Sequence, residues 1–384
     1  MRPSRATALV GSLVATVLLA AGCSLPHERT ETGASKIAIT QVDAEAIYAR
    51  YARVRRSALR LLDPQPLTSI ETGPVLAIDS GALQVARRLL LTEKVDDNQN
   101  LEIQQVLAPR LTSYPLWFVA VVRDGVRKLT KVQIFTRETS VSTWQLVASP
   151  ETLTTVDLPG FAVDDQGALA PVAPDDDNGL SLSPADAVTA YVGALNAASG
   201  AEENGQDDPA AAARAAKRAQ DQELGGSSDL PDPGGDGAAG PSPQPAPTTG
   251  GGPGGSDDET DPSRLIVRDS FIAQMATIAR QQSSIGGVRF AQQWQAQPVE
   301  YALRTADGGA LVFADLLRVD AYSLSEGTVV NWPEGSEQQA FLTGKLYSGG
   351  QLSYIHQVLL YLPPEGGKPR AIGQYGGVVD ASGS

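Results

Sequence analysis

The stretch from Gly225 to Pro262 reads GGSSDLPDPGGDGAAGPSPQPAPTTGGGPGGSDDETDP. With one leucine and no aromatic residue it cannot bury enough apolar surface to offset the entropy of ordering it. The chain must therefore fold around this segment, which is expected to be disordered. Just upstream, Asp208-Pro209 opens an alanine-rich run to Leu224 with the signals of a surface helix. Between Gly200 and Pro262 thirteen acidic residues face three basic ones, so most of the formal charge of −14 lies in this insertion. A chain this acidic is not expected to bind nucleic acid, and any membrane attachment must rest on something other than net charge.

On either side of the insertion the apolar pattern has the same plan. In the first half Ile47, Tyr51, Val54, Ala58 and Leu61 recur at helical spacing. Thr40-x-x-Asp43 offers a capping box, and Leu62-Asp63-Pro64 a stop. Extended runs follow at Leu83 to Leu91, Leu101 to Leu107, Leu116 to Val122, Leu129 to Arg137 and Val141 to Ala148, with Asp124-Gly125 as a hairpin turn. In the second half Ser183-Pro184-Ala185-Asp186 starts a helix carrying Val188, Tyr191, Val192 and Leu195, and another is predicted from Asp261-Pro262 to about Gln281. Strands are predicted at Val288 to Trp294, Val299 to Thr305, Leu311 to Tyr322, Ala340 to Leu346, Leu352 to Leu362 and Ala371 to Val378. Asp307-Gly308-Gly309 and Ser348-Gly349-Gly350 supply turns. The expected class is α+β, with two tandem domains at 39–160 and 183–384, a connection at 161–182, and the insertion at 225–262 interrupting the second.

The N-terminus carries an address. Arg2 and Arg5 precede a short apolar run that ends in Leu18-Leu19-Ala20-Ala21-Gly22-Cys23. That run is short for a transmembrane helix and has the form of a signal peptide, residues 1–22. Small residues followed by the chain's single cysteine have the form of a bacterial lipobox, cleaved between Gly22 and Cys23. Cys23 then carries a diacylglyceryl group (and palmitate), with residues 23–38 as tether, and the protein stays on the extracytoplasmic face of the cell membrane. Loss of Arg2 and Arg5 takes the formal charge to −16. With one cysteine, no disulfide can form within the chain.

The lipobox, Glu71-Thr72-Gly73-Pro74 after the first helix, and Tyr114-Pro115-Leu116-Trp117-Phe118 opening a strand together resemble a family of actinobacterial cell-envelope lipoproteins. The resemblance implies no activity. Each half also looks like the cystatin-like or NTF2-like cone, a helix packed into a curved antiparallel sheet. That fold hosts enzymes, ligand binders and interaction modules alike.

Motifs with chemistry are sparse. There is no Gly-x-Ser-x-Gly elbow, no lysine three residues after a serine, and no phosphate-binding loop at Gly344-Lys345 or Gly367-Lys368. Asp175-Asp176-Asp177-Asn178-Gly179 fails as a calcium loop, because Pro174 and Ala185 stand where ligands belong, and reads as a solvated turn. Two histidines, His27 in the tether and His356, cannot build a histidine metal site, and neither metal nor cofactor is expected. One constellation remains: Asp315 and His356 each interrupt an apolar strand face, and if they met, the carboxylate would orient the imidazole as a general base. Tyr354 and Trp332 are the aromatic candidates for a ligand contact, Trp332 as the more exposed. The expected function is a membrane-anchored, non-enzymatic binding or protein-interaction module of the cell envelope. The alternatives are an NTF2-like hydrolase or isomerase using His356 and Asp315, and a structural partner of envelope or secretion machinery.

Overall fold

A computed structural model describes residues 36–37, 39–89, 101–200, 262–328, 330, 332, 334–342 and 348–383. The expected signal peptide, Cys23, the alanine-rich run and the insertion lie outside the described residues, apart from Pro262. The described residues from Ile37 onward belong to one compact unit.

The first helix, α1 (Gln41–Leu61), begins where Thr40 accepts from the Asp43 amide and ends at Leu62, in the left-handed region with φ 48°. After a single-turn helix, Gln65–Ser69, comes α2 (Gly73–Arg88), with Pro74 in its first turn. The strand expected at Leu83 to Leu91 is therefore wrong as far as Arg88. Val75, Leu76, Ile78, Asp79, Leu83, Val85 and Ala86 are all buried along a helix set against the sheet, so its apolar C-terminal end imitated a strand. Five strands of the main sheet follow: β1 (Leu101–Leu107), β2 (Leu116–Asp124), β3 (Leu129–Arg137), β4 (Gln145–Ala148) and β5 (Glu151–Leu153). The β2–β3 hairpin turns at Asp124-Gly125 as the sequence implies.

The second half opens with α3 (Pro184–Ala198), capped by Ser183, and α4 (Ser270–Ser283), capped by Asp269. Pro262–Leu265 is a separate single turn, so α4 begins later than expected. Then come β6 (Val288–Ala296), β7 (Tyr301–Arg304) and β8 (Ala310–Leu324), the short α5 (Glu337–Phe341), β9 (Gly349–Leu362) and β10 (Arg370–Gly383). The strand expected from Ala340 starts inside α5, which Ser336 caps, while residues 343–347 are not among those described. Gly349 and Gly350 are not a turn but the start of β9, paired with Ser323 and Tyr322 of β8.

These ten strands join one antiparallel sheet in the order β1-β2-β3-β5-β10-β9-β8-β6, with β4 beside β3 and β7 beside β8, while the short strands Lys36–Ile37 and Arg110–Leu111 pair as a separate two-stranded sheet. The two halves meet at a narrow seam, Glu151 of β5 opposite Gln374 of β10. Alternation along the strands shows how the sheet then folds back on itself. Phe118, Ala120 and Val122 of β2 pack under α1 and α2, whereas Val119 and Val121 pack with Leu311, Phe313, Leu359 and Tyr361 of β8 and β9. Val312, Ala314, Val358 and Leu360 point the other way, to α3 and α4. The result is a helix layer, two facing sheet portions and a second helix layer, with β2, β3, β8 and β9 buried on both faces. The connector is woven in: Leu169 donates to Ala108 and Val172 to Ala302, each through its amide. The Asp175–Gly179 segment is an exposed turn in which the Asn178 amide donates to Asp176.

Candidate functional site

The antiparallel register of β8 and β9 decides where the two sequence candidates go. Asp315 stands opposite Gln357, and His356 opposite Leu316. Directly opposed residues share a face and neighbours in sequence do not, so Asp315 and His356 lie on opposite faces of the sheet. No dyad forms.

Asp315 accepts a 2.9 Å hydrogen bond from Nε2 of Gln357. The same amide group donates to the Val147 carbonyl and accepts from the Ser149 amide, both at 2.9 Å. Gln357 thus clamps the β4–β5 turn of the first half to the central strands of the second. Burial pushes the Asp315 carboxyl up to about 7, against the pull of the Gln357 hydrogen bond.

His356 sits beneath α4, with Trp294 at 5.1 Å, Phe271 at 5.6 Å and Tyr354 at 6.2 Å between ring centres. Its Nε2 is 3.5 Å from Nη1 of Arg318. Nδ1 has no hydrogen-bond partner among the described residues and points at Gly376, where a Cβ would stand 2.5 Å away. Gly376 is what makes room for the ring. Burial, and then the Arg318 charge, hold this imidazole well below its usual range, so it is neutral. Arg318 lies over the Tyr354 ring at 3.5 Å and donates to Asp320 at 3.0 Å. Asp320 accepts from Gln292, which in turn accepts from Ser199 and from the Trp294 indole. Tyr354 is therefore a core residue stacked on a buried guanidinium. Trp332 is half-buried, edge-on to Tyr322 at 5.0 Å between ring centres, rather than a free surface aromatic.

The densest group of ionisable residues was not picked out in the sequence. Arg55 of α1 donates through Nε and Nη2 to Asp79 of α2, at 3.2 and 2.9 Å. Tyr375 of β10 donates to the other Asp79 oxygen. Glu71, from the Glu71-Thr72-Gly73-Pro74 motif, is fully buried 3.6 Å from Arg55. Burial, then the neighbouring Asp79, raise it well above the usual carboxyl range, so it keeps its proton. Nearby, Lys131 of β3 pairs with Glu151 of β5 at 2.6 Å, and burial lowers its ammonium. The signal in the sequence was Arg55 itself, an arginine on the helix stripe that carries Tyr48, Tyr51, Ala58 and Leu59.

The space beside Arg55 and Lys131 holds little else. A cavity of about 30 Å³ among Tyr48, Tyr51, Arg55, Leu101 and Lys131 has room for about one water. A hollow of about 410 Å³ lies where α3 and α4 end, walled by Ala198, Ser199, Arg280 and Ser283. Among the described residues no three histidine, cysteine or carboxylate side chains converge as a metal site. No described helix is long and apolar enough to cross a membrane.

A family model for a domain of unknown function, DUF8094, matches residues 35–238 and 248–383. No curated protein matches the chain. Among solved structures, a crystal structure of an inactive CurJ dehydratase mutant in complex with a small compound aligns at 9% identity. It covers 82% of this chain and 89% of that one with a TM-score of 0.13, too low to bear on fold or activity. Because the family model extends across both halves of the fold, the chain belongs to the DUF8094 family, a domain of unknown function.

Proposed function

We propose that this protein is an extracytoplasmic lipoprotein, anchored through a diacylglyceryl group on Cys23, that acts as a non-enzymatic binding or protein-interaction module at the cell envelope. The observation that carries the non-enzymatic part is the separation of Asp315 from His356 by the thickness of the sheet. The hydrolase or isomerase alternative needs those two side chains on one face. His356 is instead committed to aromatic and arginine contacts under α4, and in the first half Asp79 is held in an ion pair with Arg55 while the protonated Glu71 is fully buried beside them under α1 and α2. The lipobox and the resemblance to envelope lipoproteins support the anchor. The same proposal takes the two halves as tandem cystatin-like or NTF2-like units, since each sets a pair of helices on the outer face of antiparallel strands.

The test is fractionation of cells expressing Cys23→Ala. The variant is expected to leave the membrane fraction or to accumulate with its signal peptide uncut, because no other thiol is present to accept the acyl group. Processed Cys23→Ala recovered in membranes as wild type would overturn the lipoprotein reading.

A further inference from the structure

His356 is buried in a box of aromatic rings. Phe271 of α4 stands edge-on to it, Trp294 of β6 and Tyr354 of β9 flank it, and Gly376 of β10 backs Nδ1. A guanidinium only donates, so the Nε2 that meets Arg318 Nη1 at 3.5 Å is the accepting nitrogen, and the ring hydrogen sits on Nδ1. A second proton can therefore enter only at Nε2. There it sets a donor against a donor and places a second cation beside Arg318, whose carboxylate partner, Asp320 at 3.0 Å, balances one charge. Glu337 of α5 acts on Arg318 and Tyr354. From β6, β10 and α4 the box receives Trp294, Gly376 and Phe271, none of them charged, and Met275 of α4 meets Arg318 through its sulfur at 3.3 Å. The charged residues at the two ends of α4 are engaged elsewhere: Asp269 accepts from Tyr191 and the Ala371 amide, and Arg280 donates to Thr277.

We propose that α4 is an acid-released cover: when His356 takes up a proton, α4 opens from the sheet and uncovers the apolar floor around Trp294 and Tyr354. Three walls of the box are strands, fixed to their neighbours by ladder hydrogen bonds. α4 rests on them through side chains, chiefly Phe271, Ile272, Met275 and Ala279, so it is the wall that gives. Opening brings water to the imidazolium and the guanidinium together, which removes the cost of holding both in a dry site. An imidazole freed into water regains its ordinary value of 6.5, so the open population grows about tenfold for each pH unit below that, or about thirtyfold at pH 5. Asp320 works in the opposite sense. Burial raises its carboxyl above the usual range, so through Asp320 acid favours the closed form, and the opening belongs to His356. The inference is independent of the anchor at Cys23.

Amide hydrogen exchange on the polypeptide of residues 24–384, made without acyl chains, tests this. Each rate is divided by that of the unstructured amide at the same pH. Between pH 7 and pH 5 the amides of α4 are expected to lose protection by about thirtyfold, and at pH 5 to exchange ahead of those of β2 and β3, because the rest of the fold stays closed. His356→Gln keeps an acceptor for Arg318 but has no proton to gain, so its α4 amides should show no such loss over the same range. An equal loss in His356→Gln would overturn the proposal, since another group would then drive the opening. Loss of protection in β2 and β3 together with α4 would also overturn it, as that is unfolding of the whole molecule. If His356→Gln does not fold, wild type alone decides: a flat α4 profile, or one that moves with β2 and β3, sinks the switch.

Discussion

At the scale of single residues, Asp315 and His356 show what one step of register does. Both were legible as polar interruptions of apolar strands. Which faces they occupy depends on whether Asp315 pairs with Gln357 or with His356, and a slip of one residue exchanges the faces of an entire strand. Strand periodicity cannot supply that choice. The two groups also respond oppositely to pH. Asp315 holds a proton in the folded protein up to about pH 7, whereas the unfolded chain loses it near pH 3.8. Its contribution to stability is present in acid and is lost as pH rises through that window. For His356 the folded imidazole resists protonation, so stability falls as pH drops below about 6.5. Asp315→Asn should therefore gain on wild type in melting temperature between about pH 4 and pH 7, by roughly 2–4 °C, and then hold a constant difference. A thermal melt series across pH measures this. In the same variant the His356 imidazole signals should not move in an NMR titration, because the sheet lies between the two groups.

At the scale of elements, α2 is the clearest case of a helix specified by its surroundings. Its N-terminal Gly73-Pro74 is a start signal, but the run from Leu83 onward looks extended, and only packing against β10 shows why it is not. Gly81 is the point of closest approach: a Cβ there would come within 1.8 Å of the Val378 carbonyl oxygen. Backbone cannot yield as a flexible side chain does, so Gly81→Ala must lift α2 off the sheet or unpair β10. A loss of about 3 kcal/mol or more is expected in a denaturant melt, in contrast to the gain that Gly→Ala normally brings inside a helix. The helices with explicit caps, α1 at Thr40 and α3 at Ser183, were read correctly because their signals are local. The Arg55, Glu71, Asp79 and Tyr375 group was not, because it draws on α1, the loop before α2, α2 and β10, separated by as many as 320 positions in the chain.

For the whole molecule, the repeated helix-then-strands plan was visible in the sequence, but the way the halves meet was not. The inner layer formed by Val119, Val121, Val132 and Ile134 against Leu303, Leu311, Phe313 and Leu359 gives each half an apolar sheet face that only the other covers. With the Gln357 clamp and the threaded connector, this couples the halves energetically. Calorimetry should show one unfolding transition across residues 37–384, with the calorimetric and van't Hoff enthalpies in agreement. Two resolved transitions would mean that the halves melt as separate bodies.

The inner layer also governs how such a sequence can drift. A substitution that enlarges Val119 or Val121 meets Leu311 or Leu359 from the other half, more than a hundred and fifty positions away along the chain. Changes on these inner faces must therefore be matched across the molecule, while the outer turns of α1 to α4 vary under rules of their own. Neither half can be exchanged for that of a distant relative without its partner.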